Sequence, residues 1–240
     1  KVVYLKEDLY SLTSKWEEHL INKTPIQHIC KCTFWRDLRL EVSNDALIPR
    51  VETESIVDIV FNIFPHKKEN LMFVDLGTGS GAIAISLSIL NPSWRGLATD
   101  IDEKALNLAK KNFKDCTNQS NLSFHLGDWW TPLSEFAGKI DLAISNPPYI
   151  PKPVYEKLPK SVQFFEPRIA LDGGLNGLLH IEKIIKDAPK YLKKGSWLIF
   201  ENHFDQSELI KIIFEKNGFD STDTIYDIYG VGRFTIARYK

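Results

Sequence analysis

Short apolar runs alternate along most of this chain with longer stretches in which apolar residues recur every third or fourth position. The runs at residues 71–74, 95–99, 122–126, 140–145 and 196–201 have the length and composition of buried strands. Between them, residues 53–64, 82–90, 103–113, 178–192 and 206–217 carry helical spacing, with Gly195 and Gly218 placed to end two of those helices. Strand and helix in alternation predict an α/β domain built on a doubly wound sheet. Two late strands, 222–228 and 234–239, flank the turn Tyr229-Gly230-Val231-Gly232-Arg233 and predict an antiparallel hairpin at one edge.

The front of the chain is patterned differently. Leu5, Leu9, Leu12, Trp16 and Leu20 share one face of a helix, which is expected to pack on the main domain. Residues 33–42 alternate imperfectly through Phe34, Arg36, Leu38, Leu40 and Val42, the period of a small β-hairpin, and lead into Leu47-Ile48-Pro49-Arg50. A long connection, 150–177, has little periodicity and four prolines, and such stretches in compact domains are usually functional or disordered. It is expected to wall a cleft, with Glu166 and Arg168 near it.

Composition narrows the class. With 240 residues and 43% hydrophobic content the chain can bury one α/β core and a small appendage. No apolar run approaches the roughly 20 residues that span a bilayer, and no charged-then-apolar leader appears, so a cytoplasmic monomer with no membrane partner is expected. The start at Lys1 suggests that residues upstream are missing. Cys30, Cys32, Cys116 and the six histidines lack ligand spacing, so no metal is expected and the thiols read as free and buried. A formal net charge of −1 argues against a nucleic-acid partner, which usually meets a basic face.

Candidate chemistry sits at the ends of the predicted strands. Asp75-Leu76-Gly77-Thr78-Gly79-Ser80-Gly81 is a glycine turn between strand and helix, where backbone amides can approach a nucleotide. Gly77, Gly79 and Ala82 also satisfy the dinucleotide spacing, so NAD, S-adenosylmethionine or a purely structural turn all fit at this point. The next strand ends in Asp100, placed to grip ribose hydroxyls, and the third in Gly127-Asp128-Trp129-Trp130. There Asp128 could accept from an adenine amino group and Trp129 could stack on the ring, while Trp130 reads equally well as a core anchor. The fourth strand runs into Asn146-Pro147-Pro148-Tyr149. An Asn-Pro pair alone usually marks a turn, but the tetrapeptide adds an amide acceptor, a stiff carbonyl and an aromatic face, which together could hold a planar NH2 group.

These motifs together resemble the HemK/PrmC family of S-adenosylmethionine-dependent protein methyltransferases. The likeness runs from about Pro25 to Arg238 and includes Leu47-Ile48-Pro49-Arg50 with Glu52-Thr53-Glu54, and Glu166-Pro167 followed by Ala170-Leu171-Asp172-Gly173-Gly174 and Asn176-Gly177-Leu178. It implies a Rossmann-like class I methyltransferase fold with a seven-stranded sheet whose last strand is antiparallel. It also implies three regions: a remnant of a helical recognition domain (1–24), a β-hairpin linker (25–50) and the catalytic domain (51–240). The implied activity is methylation of the glutamine amide in the Gly-Gly-Gln motif of a class I peptide chain release factor, leaving S-adenosylhomocysteine. Gly77, Thr78, Gly79, Ser80, Gly81, Asp100, Asp128, Trp129 and Asn146 would hold the methyl donor. Asn146, Pro147, Pro148, Tyr149, Glu166 and Arg50 would face substrate, with Asn146, Pro147 and Tyr149 closest to the chemistry. Arg50 could instead pair with Glu52 or Glu54.

Departures and rivals complete the reading. Val51 stands where the family usually has proline, and Lys31 and His203 where it usually has glycine. The rivals are an adenine-N6 nucleic-acid methyltransferase, a methyltransferase of another protein glutamine, a nicotinamide oxidoreductase and a non-catalytic cofactor-binding module.

Overall fold

The structure, a computed structural model, describes residues 7–65, 70–227 and 229–240. Its main element is a seven-stranded sheet in the order β5 (Leu122–Leu126), β4 (Arg95–Asp100), β3 (Met72–Leu76), β6 (Ile140–Ser145), β7 (Leu192–Glu201), β9 (Gly232–Tyr239), β8 (Phe219–Tyr226). Neighbouring strands from β5 through β7 pair in parallel, and β9 runs antiparallel to both β7 and β8. This is the class I methyltransferase arrangement expected from the resemblance.

Strand alternation divides the core into two layers. Phe73 of β3 and Leu142 and Ile144 of β6 face α3 (Ser55–Ile63), α4 (Ala82–Leu90) and α5 (Glu103–Cys116). Val74, Leu76 and Ala143 face the other way, toward α8 (Leu179–Asp187) and α9 (Ser207–Lys216). Burial on both faces explains why these strands read as continuous apolar runs. Among the described residues no helix is long and apolar enough to cross a membrane.

The N-terminal elements differ from expectation. Helix α1 (Leu9–Asn22) starts on Asp8, whose side chain accepts from the Ser11 amide, but Leu9, Trp16 and Leu20 remain 70%, 55% and 49% exposed. It leans on α2 (Ile26–Cys30), none of its residues is buried, and the face expected to pack on the main domain is largely exposed. Leu5 lies outside the described residues. In the hairpin of β1 (Cys32–Trp35) and β2 (Leu38–Glu41), Arg36 occupies the turn with φ +48°, so the inward position passes from Phe34, which is exposed, to Trp35, which is buried. Lys31 has φ +53°, a left-handed conformation that glycine adopts at little cost, so the glycine that the resemblance implies there would fit the backbone. The three thiols are free, yet Cys30 is exposed and the other two half-buried, since all lie on or against this surface hairpin.

Later corrections have local causes. The helix expected over 178–192 stops at Asp187, and a 3-10 turn containing Pro189 leads directly into β7. Gly195 therefore ends no helix; it lies inside β7 with φ +81°, where the pairing with β6 shifts register. The bulge uses the left-handed freedom of glycine. The strand expected over 222–228 begins earlier, at Phe219, and Ile228 lies outside the described residues. The connection 150–177 is not irregular: α6 (Lys152–Tyr155) and α7 (Lys160–Phe165) follow Pro151 and Pro159, and Ile150 bridges Asp172 to close the excursion.

The close packing of β4 gives a stability test. A Cβ at Gly96 would lie 2.6 Å from the Phe73 ring and 2.7 Å from Leu122 in the closed core. Gly96→Ala is expected to destabilise folding by about 1–3 kcal/mol through overpacking, read as a lower denaturant midpoint. An unchanged midpoint would contradict this packing.

Candidate functional site

The predicted site residues of β3, β4, β5 and β6 lie at or just beyond the carboxyl ends of those strands, with Asp100 closing β4. After β3, the Gly77 and Thr78 amides both donate to the Thr99 carbonyl at 2.9 Å, fastening the glycine turn to β4. Gly79 then donates to Asp100 Oδ2 at 2.8 Å, while Asp102 donates to Oδ1 at 3.0 Å. Asp100 is thus aimed by backbone, and each oxygen keeps a lone pair for a ligand hydroxyl. Burial pushes its carboxyl above the ordinary range, against those two amides.

Asp75 lies beneath the turn. It is almost fully buried, accepts from Thr78 Oγ1 at 2.7 Å, and burial pushes its carboxyl up to about 7 despite the Thr78 hydroxyl and the Ala84 amide. Above the turn lies Trp129: a Cβ at Gly77 would meet its ring at 2.8 Å, so only glycine allows this approach. The Trp129 ring also rests against His180, with centroids 5.6 Å apart. Asp128 pairs with Lys183. Trp130 points the other way, donating its Nε1 proton to the Ile184 carbonyl at 3.0 Å and stacking on Tyr191. It is a core anchor.

The fourth strand end is tied down by a buried network. Ser145 Oγ donates to the Leu76 carbonyl at 2.7 Å, which sets Asn146 beside the glycine turn. Asn146 Nδ2 donates to Thr53 Oγ1 at 3.2 Å, and Thr53 donates to Glu201 Oε2 at 2.6 Å. Tyr149 donates its hydroxyl proton to Glu201 Oε1 at 3.0 Å. Burial raises the Glu201 carboxyl, with the two hydroxyl donors and Arg233 opposing it, and burial also raises the Tyr149 phenol.

A cavity of about 330 Å³ opens over these strand ends, within the range of small-molecule sites. Gly77, Thr78, Gly79, Ser80, Asp100, Asp128, Trp129, Asn146, Pro148 and Arg50 all line it. Gly81, Pro147, Tyr149 and Glu166 do not border it: Gly81 caps α4, Pro147 is buried, and the Tyr149 hydroxyl is turned to Glu201. Glu166 approaches through Arg50, to which it pairs at 2.5 Å. Arg50 is therefore not the partner of Glu52 or Glu54, and Glu54 accepts from Arg36. Arg168 pairs with Asp172 at the surface.

Several lining residues escaped sequence reading. Ile101, Ile169 and Leu179 give the cavity its apolar walls, although each is more than half exposed. Ile101 could have been suspected, as an isoleucine placed directly after the strand-end carboxylate. Thr53 stands out in the sequence only as part of Glu52-Thr53-Glu54 and Glu201 only as a strand end; that the two meet, across 148 positions, has no local signal.

A family model described as a methyltransferase domain matches residues 67–227. The release factor glutamine methyltransferase of Prochlorococcus marinus is 42% identical over 230 residues, covering 95% of this chain and 78% of that protein. This chain belongs to the release factor glutamine methyltransferase family. A second member, from Thermosynechococcus vestitus, is 34% identical over 98% of this chain and 81% of its own length. The hMettl16 catalytic domain, solved in complex with a 3'UTR hairpin, shares the fold at 20% identity with a TM-score of 0.69, covering 98% of this chain and 93% of its own. A Pyrococcus furiosus methyltransferase does so with a TM-score of 0.62, covering 95% of this chain and 98% of its own. Family membership sets aside the nicotinamide reading of the glycine turn.

The burial of Asp75 beneath the turn predicts a pH-dependent folding stability. Its carboxyl holds a proton up to about 7 in the folded protein, against 3.8 as the ordinary value. Folded protein binds more protons across that window, so the stability Asp75 contributes is full below it and is lost as pH rises through 7. Between pH 5 and 8, wild type is expected to lose about 2–3 kcal/mol more unfolding free energy than Asp75→Asn, measured by denaturant titration. Parallel pH profiles for the two proteins would contradict the assignment.

Proposed function

We propose that this protein transfers a methyl group from S-adenosyl-L-methionine to the side-chain amide nitrogen of the glutamine in the Gly-Gly-Gln motif of a class I peptide chain release factor, leaving S-adenosyl-L-homocysteine. The observation that carries the reading is Asn146: it leaves β6 beside the glycine turn and borders the cavity with its Nδ2 held on Thr53. The names of the family's members support the substrate.

The cavity's chemistry suits the methyl donor. Asp100 would accept from the ribose hydroxyls and the free oxygen of Asp128 from the adenine amino group, with Ile101 and Trp129 covering the ring. The donor, when bound, supplies an electrophilic methyl on a sulfonium. An amide nitrogen is a weak nucleophile, because its lone pair is delocalised into the carbonyl. Asn146 Oδ1 and the Pro147 carbonyl would accept its two N–H bonds, raising electron density on the nitrogen and holding it in line, so that the nitrogen–methyl bond forms as the methyl–sulfur bond breaks and one N–H proton then leaves to solvent. Tyr149 would pack against the amide plane, anchored by its hydroxyl on Glu201. Arg50, fixed by Glu166, would face the substrate, and α1 would extend the recognition surface. The net charge of −1 supplies no basic bias for nucleic acid.

Three measurements test the reading. Asp100→Ala is expected to weaken S-adenosylmethionine binding by about 1.5–3 kcal/mol in calorimetry, and unchanged affinity would remove Asp100 from the site. Asn146→Ala is expected to lower turnover by about 10²- to 10³-fold with donor binding retained. Labelled methyl is expected on a release factor, lost when its loop glutamine is replaced, and absent from single- and double-stranded DNA. Label on adenine with none on protein would establish the nucleic-acid alternative instead.

A further inference from the structure

An asparagine side chain has two ends of nearly equal size and opposite hydrogen-bonding character. Only one orientation offers the cavity an acceptor. At Asn146 the choice is made by Thr53, which also borders the cavity and accepts from Nδ2 at 3.2 Å. A threonine hydroxyl carries a single proton, and that proton is donated to Glu201 Oε2 at 2.6 Å. Thr53 therefore meets Asn146 with lone pairs alone, which attract the amide NH2 and repel the amide oxygen.

Glu201 fixes the direction of the chain. Its other oxygen accepts from Tyr149 at 3.0 Å, so both ends of the Asn146-Pro147-Pro148-Tyr149 turn converge on one carboxylate. Thr53 is 5% and Glu201 2% exposed, which leaves little room for water to substitute for either partner. Arg233, itself paired to Asp227 at 2.6 Å, lies near enough to favour the charged carboxylate.

We propose that Thr53 and Glu201 are positioning residues that lock the Asn146 amide with Oδ1 toward the cavity, and that this lock sets specificity for a donor NH2 over a carboxylate. The inference rests on the reading of Asn146 as the acceptor for the substrate amide. Its consequence is a site that admits glutamine and rejects glutamate at the same position, because a carboxylate would meet an acceptor and no donor.

Thr53→Val replaces the hydroxyl by a methyl of similar shape. Turnover on the release factor is expected to fall about 10- to 100-fold, with S-adenosylmethionine affinity unchanged, because misorientation of one polar group suffices for such losses. Thr53→Ser restores the hydroxyl and is expected to stay within about threefold of wild type. The decisive readout is inhibition by a release factor carrying Gly-Gly-Glu: wild type is expected to be indifferent to it. Thr53→Val, whose Asn146 can turn its NH2 outward, is expected to be competitively inhibited. Thr53→Ala makes the same comparison without steric demand should the valine variant fail to fold. Wild-type turnover and discrimination in Thr53→Val and Thr53→Ala, with Asn146→Ala still crippled, would overturn the lock alone. Full activity in Asn146→Ala would overturn the reading on which it rests.

Discussion

The parallel pairing of β3 with β6 is the constraint on which the site depends. Leu76 stands opposite Ser145 in the register, and the Ser145 hydroxyl ties itself to the Leu76 carbonyl at 2.7 Å. The residues that follow, Gly77 and Asn146, therefore leave the sheet side by side. Because both strands are buried on both faces, a slip of one residue would turn every side chain to the wrong layer, so this neighbourhood is fixed by the core itself. Parallel strands end at the same edge, and the same logic brings Asp100 and the Asp128-Trp129 pair to the cavity from β4 and β5.

Around that edge the protein keeps costly groups where they position others. Asp75 and Glu201 are both deeply buried carboxyls pushed upward by burial, and both are met by hydroxyl donors, Thr78 for one and Thr53 with Tyr149 for the other. A buried carboxylate without such partners would be strongly destabilising. Each instead serves as an anchor: Asp75 holds the start of the glycine turn, and Glu201 gathers the two ends of the Asn146 to Tyr149 segment. The cavity above is lined by Asn146, Asp100, Asp128 and Arg50 together with apolar side chains.

What could be read from the residues alone follows from range. Strands such as Ile140–Ser145 and the glycine turn announce themselves because burial on both faces and tight backbone approach leave local marks. Asp100 and Asn146 were legible for the same reason, since each directly follows or closes a strand. Trp129 was legible as a cavity residue, whereas the inward direction of Trp130 was open, because it depends on how the φ of +51° at Trp129 turns the chain. Phe34 and Trp35 exchanged places when Arg36 took the hairpin turn, and Gly195 proved to be a bulge, because pairing across the sheet decided both. The link between Thr53 and Glu201 was illegible, because it is made only in the folded protein, across 148 positions. The bareness of α1 is likewise a property of what packs beside it and not of its spacing.

The central claim is that the strand edge presents Asn146 as a fixed acceptor for a glutamine amide. A crystal structure of the protein with S-adenosylhomocysteine and a peptide containing Gly-Gly-Gln tests it most directly. The account predicts the glutamine amide nitrogen at about 2.7–3.2 Å from Asn146 Oδ1, with Nδ2 still on Thr53. A peptide whose glutamine amide lies beyond hydrogen-bond reach of Asn146, or an Asn146 released from Thr53 in the complex, would contradict it.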